Sequence, residues 1–567
     1  MPSALDIRVG NAIDAIIAPG GAMPLTTYAA FGVELPMIAT APPTLTHYFA
    51  YFCGQHGDAT FIVDGEERIS FAQAYAAASQ VATALVRAHG VKRGDRVGIA
   101  MRNAPSWIIL YMGTLMAGGC ATLLNGWWQG GELADGIHDV EASLVFVDAP
   151  RAARLADTGG DMTARVVTLD VALPLMEALA PVIAAPELTE DPLPELTGDD
   201  LATILFTSGS TGRSKGAFST HRAVVQGTFN YIVQALMMLE LAVQDGRIKP
   251  NPPQHATLMT VPLFHVTGEI PMLLVSFAIG RKIVMMPKWD ALRAMQLIEK
   301  EKITNFTGVP LMSFEILTHP DRHKYDLSTV QSFAAGGAPR PADHVRRMHD
   351  EMVGSPPALG YGLTETNAIG CGNFAENYVA KPSSTGAASR PLVDLAILDG
   401  VGNKMPQGER GEVAIRSVAN FTGYWNRPDA TAEAIMPDGY FRTGDIGYLD
   451  EDGYLFIVDR KKDIIIRGGE NISCQEVEAA LYAYAGVAEC AVFGLADERL
   501  GEVVGAVVYP GTIDESALRA FLEAELAAFK IPLKIWFAPE PLPRLGTEKI
   551  DKVSLRAKFR SEWAAKG

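Results

Sequence analysis

The run Thr207-Ser208-Gly209-Ser210-Thr211-Gly212-Arg213-Ser214-Lys215-Gly216 follows directly on the apolar stretch LATILF. Small residues let backbone N–H groups approach an anion, hydroxyls add donors, and Lys215 adds a mobile positive charge, so the loop suits a polyphosphate. Its spacing is not that of a Walker A loop, because Lys215 stands three residues beyond Gly212 and is followed by Gly216. For the run alone, a flexible polar connection is the lesser reading. A second cluster, Gly360-Tyr361-Gly362-Leu363-Thr364-Glu365-Thr366, gathers an aromatic face, a tight turn, a hydroxyl and a carboxylate. These can stack a base, meet a phosphate and hold Mg²⁺, although an isolated Glu365 would also serve as a helix-start carboxylate. A third segment, Tyr440-Phe441-Arg442-Thr443-Gly444-Asp445, precedes a charged run at 459–463 and Arg467-Gly468-Gly469-Glu470-Asn471. A carboxylate such as Asp445 on a tight turn can accept both hydroxyls of a ribose. The charges from Arg460 to Lys462, by themselves, are a solvated face.

Residues so far apart need a scaffold to bring them together. Short apolar runs at 201–206, 256–261, 281–286 and 330–335 alternate with amphipathic stretches at 291–302 and 341–352. That alternation predicts βα units and a largely parallel sheet, whose ligands gather at loops leaving the strand C-termini. After about residue 392 shorter runs, VDLAIL, GEVAIR and GYLFIV, predict a β-rich subdomain. Beyond the charged run, helices are expected near 474–483 and 513–528 and strands near 488–493 and 503–509. The predicted class is therefore α/β. An N-terminal extension (1–40) precedes a large domain (41–459) of βα-layered sheets, with its β-rich subdomain at about 392–459. A small α+β domain (460–567) follows.

Composition bounds the partners. The chain has 567 residues, 48% hydrophobic and 20% charged, which is globular and excludes wholesale disorder. Its 48 Lys and Arg against 65 Asp and Glu leave a net charge of −17, which counts against nucleic acid, a partner held by clustered positive charge. The five cysteines are scattered, with no CxxC pair and no zinc-ligand spacing, so a reducing compartment is expected. Asp6 and Pro19-Gly20-Gly21 argue against an export signal, so the expected location is cytoplasmic. The uncharged stretch from Ala104 to Gly131 is long enough to tempt a spanning reading. Gly118-Gly119 interrupts it and basic anchors are missing at its far end, which predicts a buried helix and strand. Peripheral contact with a bilayer stays compatible with this sequence, as does a homodimer.

In order and spacing, TSGSTGRSKG, GYGLTET, YFRTGD, DRKKDIIIRGGENISCQEVE and PRLGTEKIDK resemble the motifs of the adenylate-forming superfamily. That superfamily comprises acyl-CoA synthetases, adenylation domains and firefly luciferase, and the likeness extends from about residue 45 to 560. The resemblance implies that residues 41–459 form an AMP-binding domain and 460–567 a mobile lid. It implies that Thr207, Ser208, Gly209, Ser210, Thr211, Gly212 and Lys215 cradle the β- and γ-phosphates of ATP. Gly336, Gly337, Ala338, Tyr361 and Gly362 would flank the adenine, Thr364 would touch the α-phosphate and Glu365 would help hold Mg²⁺. Asp445 would bind the ribose with Arg460 nearby, and Lys549 would bridge the substrate carboxylate and the α-phosphate. Lys462 would be the hinge about which the small domain turns, bringing Gly468-Gly469 to the thiol tunnel for coenzyme A. The sequence departs from the family at Glu548, where glycine is usual before the lysine. A neighbouring carboxylate favours the charged lysine and also competes for it.

The resemblance also points to an acyl pocket formed by His265, Val266, Gly308, Val309, Ala335, Gly336, Ala368 and Ile369, with His265 as a gate. Phe264-His265 stands where amino-acid-activating relatives carry an Asp, and an unpaired amine would be costly there. Small and apolar walls suit a hydrophobic carboxylate of fatty, aryl or steroid type, held by area burial. The Met-rich stretch 235–239 reads first as core packing and second as an adaptable pocket wall. The implied activity is an acid:CoA ligase acting through an acyl-adenylate. A carrier protein's phosphopantetheine presents the same thiol as CoA. Luciferase-like oxidation and non-catalytic ATP binding are the remaining classes.

Overall fold

The computed structural model describes residues 2–159, 162–207, 214–248, 250, 252–338, 340–352, 354–461, 463–467, 470–545 and 549–564. Ser208, Gly209, Ser210, Thr211 and Gly212 of the predicted phosphate loop lie outside these residues, as do Lys462, Gly468, Gly469 and Glu548.

The described chain is a mixed α/β structure. One seven-stranded sheet places Cys120–Leu123, Arg96–Ala100, Leu144–Asp148 and Arg165–Leu169 in parallel beside Leu201–Thr207. The antiparallel partner of Leu201–Thr207 is Lys215–Thr220. A thirteen-stranded sheet has a parallel stretch built from Lys282–Met285, Ala256–Met259, Asn305–Gly308, Ser332–Gly336 and Pro357–Gly362. The strands Leu201–Thr207, Ala256–Met259, Lys282–Met285 and Ser332–Gly336 and the helices Ala291–Glu301 and Ala342–Glu351 match the runs that the apolar periodicity marks, whereas Asn305–Gly308 and Pro357–Gly362 fall outside them. The β-rich segment is continuous with this sheet, because Gly386–Ala388 pairs with Tyr454–Arg460 and carries the hydrogen bonding into three more antiparallel strands. A separate five-stranded sheet near the C-terminus, with the helices Cys474–Ala483, Glu515–Glu525 and Lys552–Ala564, has apolar cores of its own on either side.

The uncharged stretch becomes the helix Pro105–Met116, buried along its whole length, followed by the strand Cys120–Leu123. Pro105 starts the helix, where its missing N–H costs nothing, and Gly118, at φ 77°, turns the chain into the strand. Trp107, Ile108, Leu110 and Tyr111 are fully buried in the main core. Among the described residues no helix is long and apolar enough to cross a membrane.

Several elements are not marked by the apolar runs, among them the N-terminal ones and the longest helix. The N-terminal residues form the helix Ala4–Ile17 and the hairpin Leu25–Ala30/Val33–Ile38. The helix His221–Gln244 runs for 24 residues behind the phosphate-loop hairpin.

Candidate active site

Strand ends deliver most of the predicted groups to one place. Thr207 and Lys215 face each other across the hairpin, and the Lys215 ammonium lies 4.8 Å from the centre of the Tyr424 ring, within cation–π range. Gly336 ends its strand. Gly337 then turns at φ 75°, where a side chain would be strained, and a Cβ there would come within 3.1 Å of Lys549 Nζ. The lysine therefore reaches across from the C-terminal region to lie against the Gly337 backbone. Thr207, Lys215, Gly336, Gly337, Ala338, Tyr361, Gly362, Thr364, Glu365, Asp445, Arg460 and Lys549 all border one continuous cavity of about 3880 Å³, as do His265, Val266, Gly308, Val309 and Ala368.

The polar groups form a connected set. The Tyr361 hydroxyl donates to Asp445 Oδ2 at 2.6 Å, and Arg460 Nε pairs with Asp445 Oδ1 at 2.7 Å. Burial, then the Asp445 carboxylate, push the Tyr361 phenol far above its usual range. Burial pulls the Arg460 guanidinium down, but Asp445, Tyr361 and Glu365 outweigh it and hold it above its ordinary value. Buried Glu365 accepts the Tyr424 hydroxyl at Oε1, 2.7 Å away. Burial raises its pKa, and the Tyr424 bond, Arg460 and Lys215 offset part of that rise.

Lys549 is held down at about 8 by burial and then by the positive charge of Arg460, with Asp445 opposing. His265 is held at about 3 by burial and then by Lys549, so it stays neutral. Its Nε2 is buried with no hydrogen-bond partner among the described residues. Burial and Arg460 thus weaken the ammonium's hold on its proton, and anions arriving beside it strengthen that hold again. This arrangement is suited to bringing a carboxylate and a phosphate together.

The turn after Glu365 is over-determined. Asn367 and Ala368 both sit at positive φ, 47° and 66°. Asn367 Nδ2 donates to the Ser219 hydroxyl and the Ala419 carbonyl, and the Tyr231 hydroxyl donates to the Ala368 carbonyl. Such strain persists only where surrounding contacts enforce it. Gly362 is required here, because a Cβ would come within 2.1 Å of the Ala368 carbonyl oxygen.

One expected pocket residue lies elsewhere. Ile369 is 1% exposed and packs in the main core, because the turn at Ala368 directs it inward. Ala335 borders the cavity, and its side chain, on the alternate face of its strand, packs with Val345, Leu359 and Tyr378. The Met-rich stretch 235–239 borders the cavity throughout, with Met237 also packed in the core.

The floor of the cavity depends on strand register. Gly336, Gly360 and Gly372 lie side by side across three strands. The next row is Thr307, Ala334, Ala358 and Phe374, and the row beyond it is Asn305 and Ser332. All of these border the cavity, whereas Phe306 and Phe333 on the opposite face are fully buried. At two residues per row the floor extends about 13 Å from the site. A Cβ on Gly360 or Gly372 would meet no atom within 4 Å, so this face is open. The opposite wall is a helical stripe of Tyr231, Ala235, Met238 and Ala242.

No three or more His, Cys, Asp or Glu among the described residues converge on a metal position. The Glu365 carboxylate at the cavity wall fits Mg²⁺ nonetheless, since that ion is commonly shared between one or two carboxylates, phosphates and water. Tyr424 escaped sequence reasoning because its bond to Glu365 closes over 59 residues. Asp459 escaped it too. Its Oδ2 accepts the Ser473 hydroxyl at 3.2 Å and the Gln475 N–H at 3.3 Å, joining the strand Tyr454–Arg460 to the helix Cys474–Ala483.

This sheet architecture, with a half-buried lysine facing a Tyr–Asp–Arg set, defines a nucleotide-handling enzyme of the adenylate-forming kind. The AMP-binding enzyme family matches residues 49–425, and the AMP-binding enzyme C-terminal domain matches 476–549. The chain belongs to the AMP-binding enzyme family. It is 33% identical to a feruloyl-CoA synthase of Amycolatopsis sp over 88% of this chain and 96% of the relative. It is 32% identical to a long-chain-fatty-acid–CoA ligase of Mycobacterium tuberculosis, over 87% and 93%. Among solved structures, ATP-bound MatB from Rhodopseudomonas palustris superposes with a TM-score of 0.78 at 30% identity, covering 91% of this chain and 99% of that one.

Proposed function

We propose that this AMP-binding enzyme is an ATP-dependent, AMP-forming carboxylic acid:CoA ligase whose substrate is a bulky hydrophobic acid. The observation that carries the acid class is the open floor behind the Lys549 site, where three glycines, Ala334, Ala358 and Phe374 accept apolar area beside the polar Thr307, Asn305 and Ser332. Relatives named for feruloyl and long-chain fatty acyl groups support the same class.

In the first step the substrate carboxylate oxygen attacks the α-phosphorus, an acyl–phosphate bond forms and pyrophosphate leaves. Two anions meet in that in-line displacement, so the barrier depends on cations aimed at them. Lys549 supplies one beside Gly337, and Thr364 supplies a hydroxyl. The loop from Thr207 to Lys215 takes the outer phosphates, and Gly336–Ala338 with Tyr361 flank the base. Asp445, oriented by Tyr361 and Arg460, takes the ribose hydroxyls. Glu365 would hold Mg²⁺ together with phosphate oxygens, and the ion when bound neutralises phosphate charge. In the second step the thiol sulfur of CoA attacks the acyl carbonyl, the bond to AMP breaks, and AMP carries away the charge. Rotation about Lys462, with Gly468-Gly469 lining the thiol route, accounts for the change of acceptor. We assign the enzyme to the cytoplasm, where its five free, buried cysteines stay reduced.

A panel of fatty, aryl and ring-bearing carboxylates tests the reading through ATP-dependent pyrophosphate release and CoA-ester formation. Adenylate without CoA ester would move the acceptor to a carrier protein. No adenylate from any hydrophobic acid would overturn the acid class.

A further inference from the structure

The segment ALDIRVGNAIDAII opens with a reciprocal cap. The Asp6 N–H donates to Ser3 Oγ at 3.0 Å and the Ser3 N–H to Asp6 Oδ2 at 2.8 Å. In the helix Ala4–Ile17, the apolar residues 5, 9, 12, 13 and 16 share one face. Ala12 and Ile13 are buried in the main core together with Met237 and Leu241 of the long helix. One and two turns earlier, Val9 and Leu5 are only half-buried, because they border the same cavity as Met238 and Phe374.

The helix is tied down on its other sides. Asp6 Oδ1 accepts from Asn377 Nδ2 at 2.8 Å and from the Tyr454 hydroxyl at 2.7 Å, and Ser3 Oγ donates to Asn377 Oδ1 at 2.8 Å. Asn377 stands just beyond Phe374, the side chain that ends the alanine row of the channel floor. Arg8 pairs with Asp245 and Asp14 with Arg390, each at 2.6 Å. The two surface pairs add little energy, but the half-buried Asp6 set fixes the helix in position and register, as a selective wall requires.

From this placement we infer that the N-terminal helix is a wall of the acyl channel, and that Leu5 and Val9 help determine which hydrophobic acids the enzyme accepts. The inference rests on the ligase reading. Its chemical basis is apolar contact with the distal end of the acyl group, away from the reacting carboxylate.

Leu5→Trp and Val9→Trp narrow the channel, and Ile7→Trp, at a position 57% exposed, is the control on the same helix. The measurement is kcat/KM for pyrophosphate release across hydrophobic acids of increasing length and bulk. Leu5→Trp and Val9→Trp lower the ratio of large-acid to small-acid kcat/KM about 10-fold or more, the scale of hydrophobic-pocket discrimination, and Ile7→Trp leaves it unchanged. If a tryptophan variant fails to fold by circular dichroism, Leu5→Ala and Val9→Ala read the same property by shifting preference toward larger acids. A size profile unaltered in every folded variant, or equal loss for all acids, overturns the inference. Absence of pyrophosphate release from any acid in the unaltered enzyme overturns the ligase reading instead.

Discussion

Lys549 meets opposing demands: it must be buried to act strongly on developing charge, and burial weakens its own ionisation. With its constant at about 8 against an ordinary 10.5, kcat/KM, which reports the free enzyme, declines as pH rises through about 8. Lys549→Arg removes that alkaline limb from whatever activity survives, because guanidinium stays charged. Lys549→Ala lowers adenylate formation about 10²–10³-fold and leaves thioester formation from supplied acyl-adenylate nearly intact. Pyrophosphate exchange and CoA-ester assays separate the two. A second residue-scale prediction concerns Glu269, fully buried four residues after His265 and accepting at Oε1 from the Tyr111 hydroxyl at 2.7 Å. Burial raises its carboxyl from 4.5 to about 7, the Tyr111 bond opposing. The folded state therefore binds the extra proton between those values. The associated stability is full below 4.5 and is lost as pH rises through 7. Thermal melts of Glu269→Gln across that range lose this pH dependence, and a slope identical to that of the unaltered protein would contradict it.

At the scale of elements, the floor of the proposed acyl channel is a product of register. Each strand supplies one residue per row, and only side-by-side alignment turns Gly336, Gly360 and Gly372 into an open floor. A side chain added at Gly372 has room, so Gly372→Leu should fold with a melting temperature close to that of the unaltered protein. It should lose turnover of bulky acids about 10-fold or more relative to small ones. Parallel activity and melting measurements check this, and a large drop in stability would contradict the open-floor geometry. Motif segments were legible in the sequence because each carries its chemistry within a few residues. The Glu365–Tyr424 pair, the channel rows and the Ala335 face were not, since each depends on which strand lies beside which.

Across the whole molecule, the small C-terminal unit meets the large domain through Lys549 and through Asp459. Ser473 caps the helix Cys474–Ala483, donates to the Val458 carbonyl at 2.6 Å and reaches Asp459. Losing a cap costs about 1 kcal/mol, equivalent to about fivefold in a rate that depends on seating this unit. Ser473→Ala is therefore expected to slow adenylate formation about fivefold and thioester formation from supplied acyl-adenylate less. Single-turnover assays of the two halves measure the difference, and equal slowing would argue against a seating role.

The sequence by itself determined the α/β class, the membership signalled by the ordered motifs, and the choice of the groups proposed to handle phosphate, ribose and carboxylate. Those are local properties, set by residue type and short spacing. The tertiary structure alone decided the depth and lining of the cavity, the partners that hold Glu365 and Asp459, and the placement of the N-terminal helix beside that cavity. Each of these depends on contacts between segments tens to hundreds of residues apart: Ser3 and Asn377, 374 positions apart, close into one hydrogen bond only when the sheets have assembled.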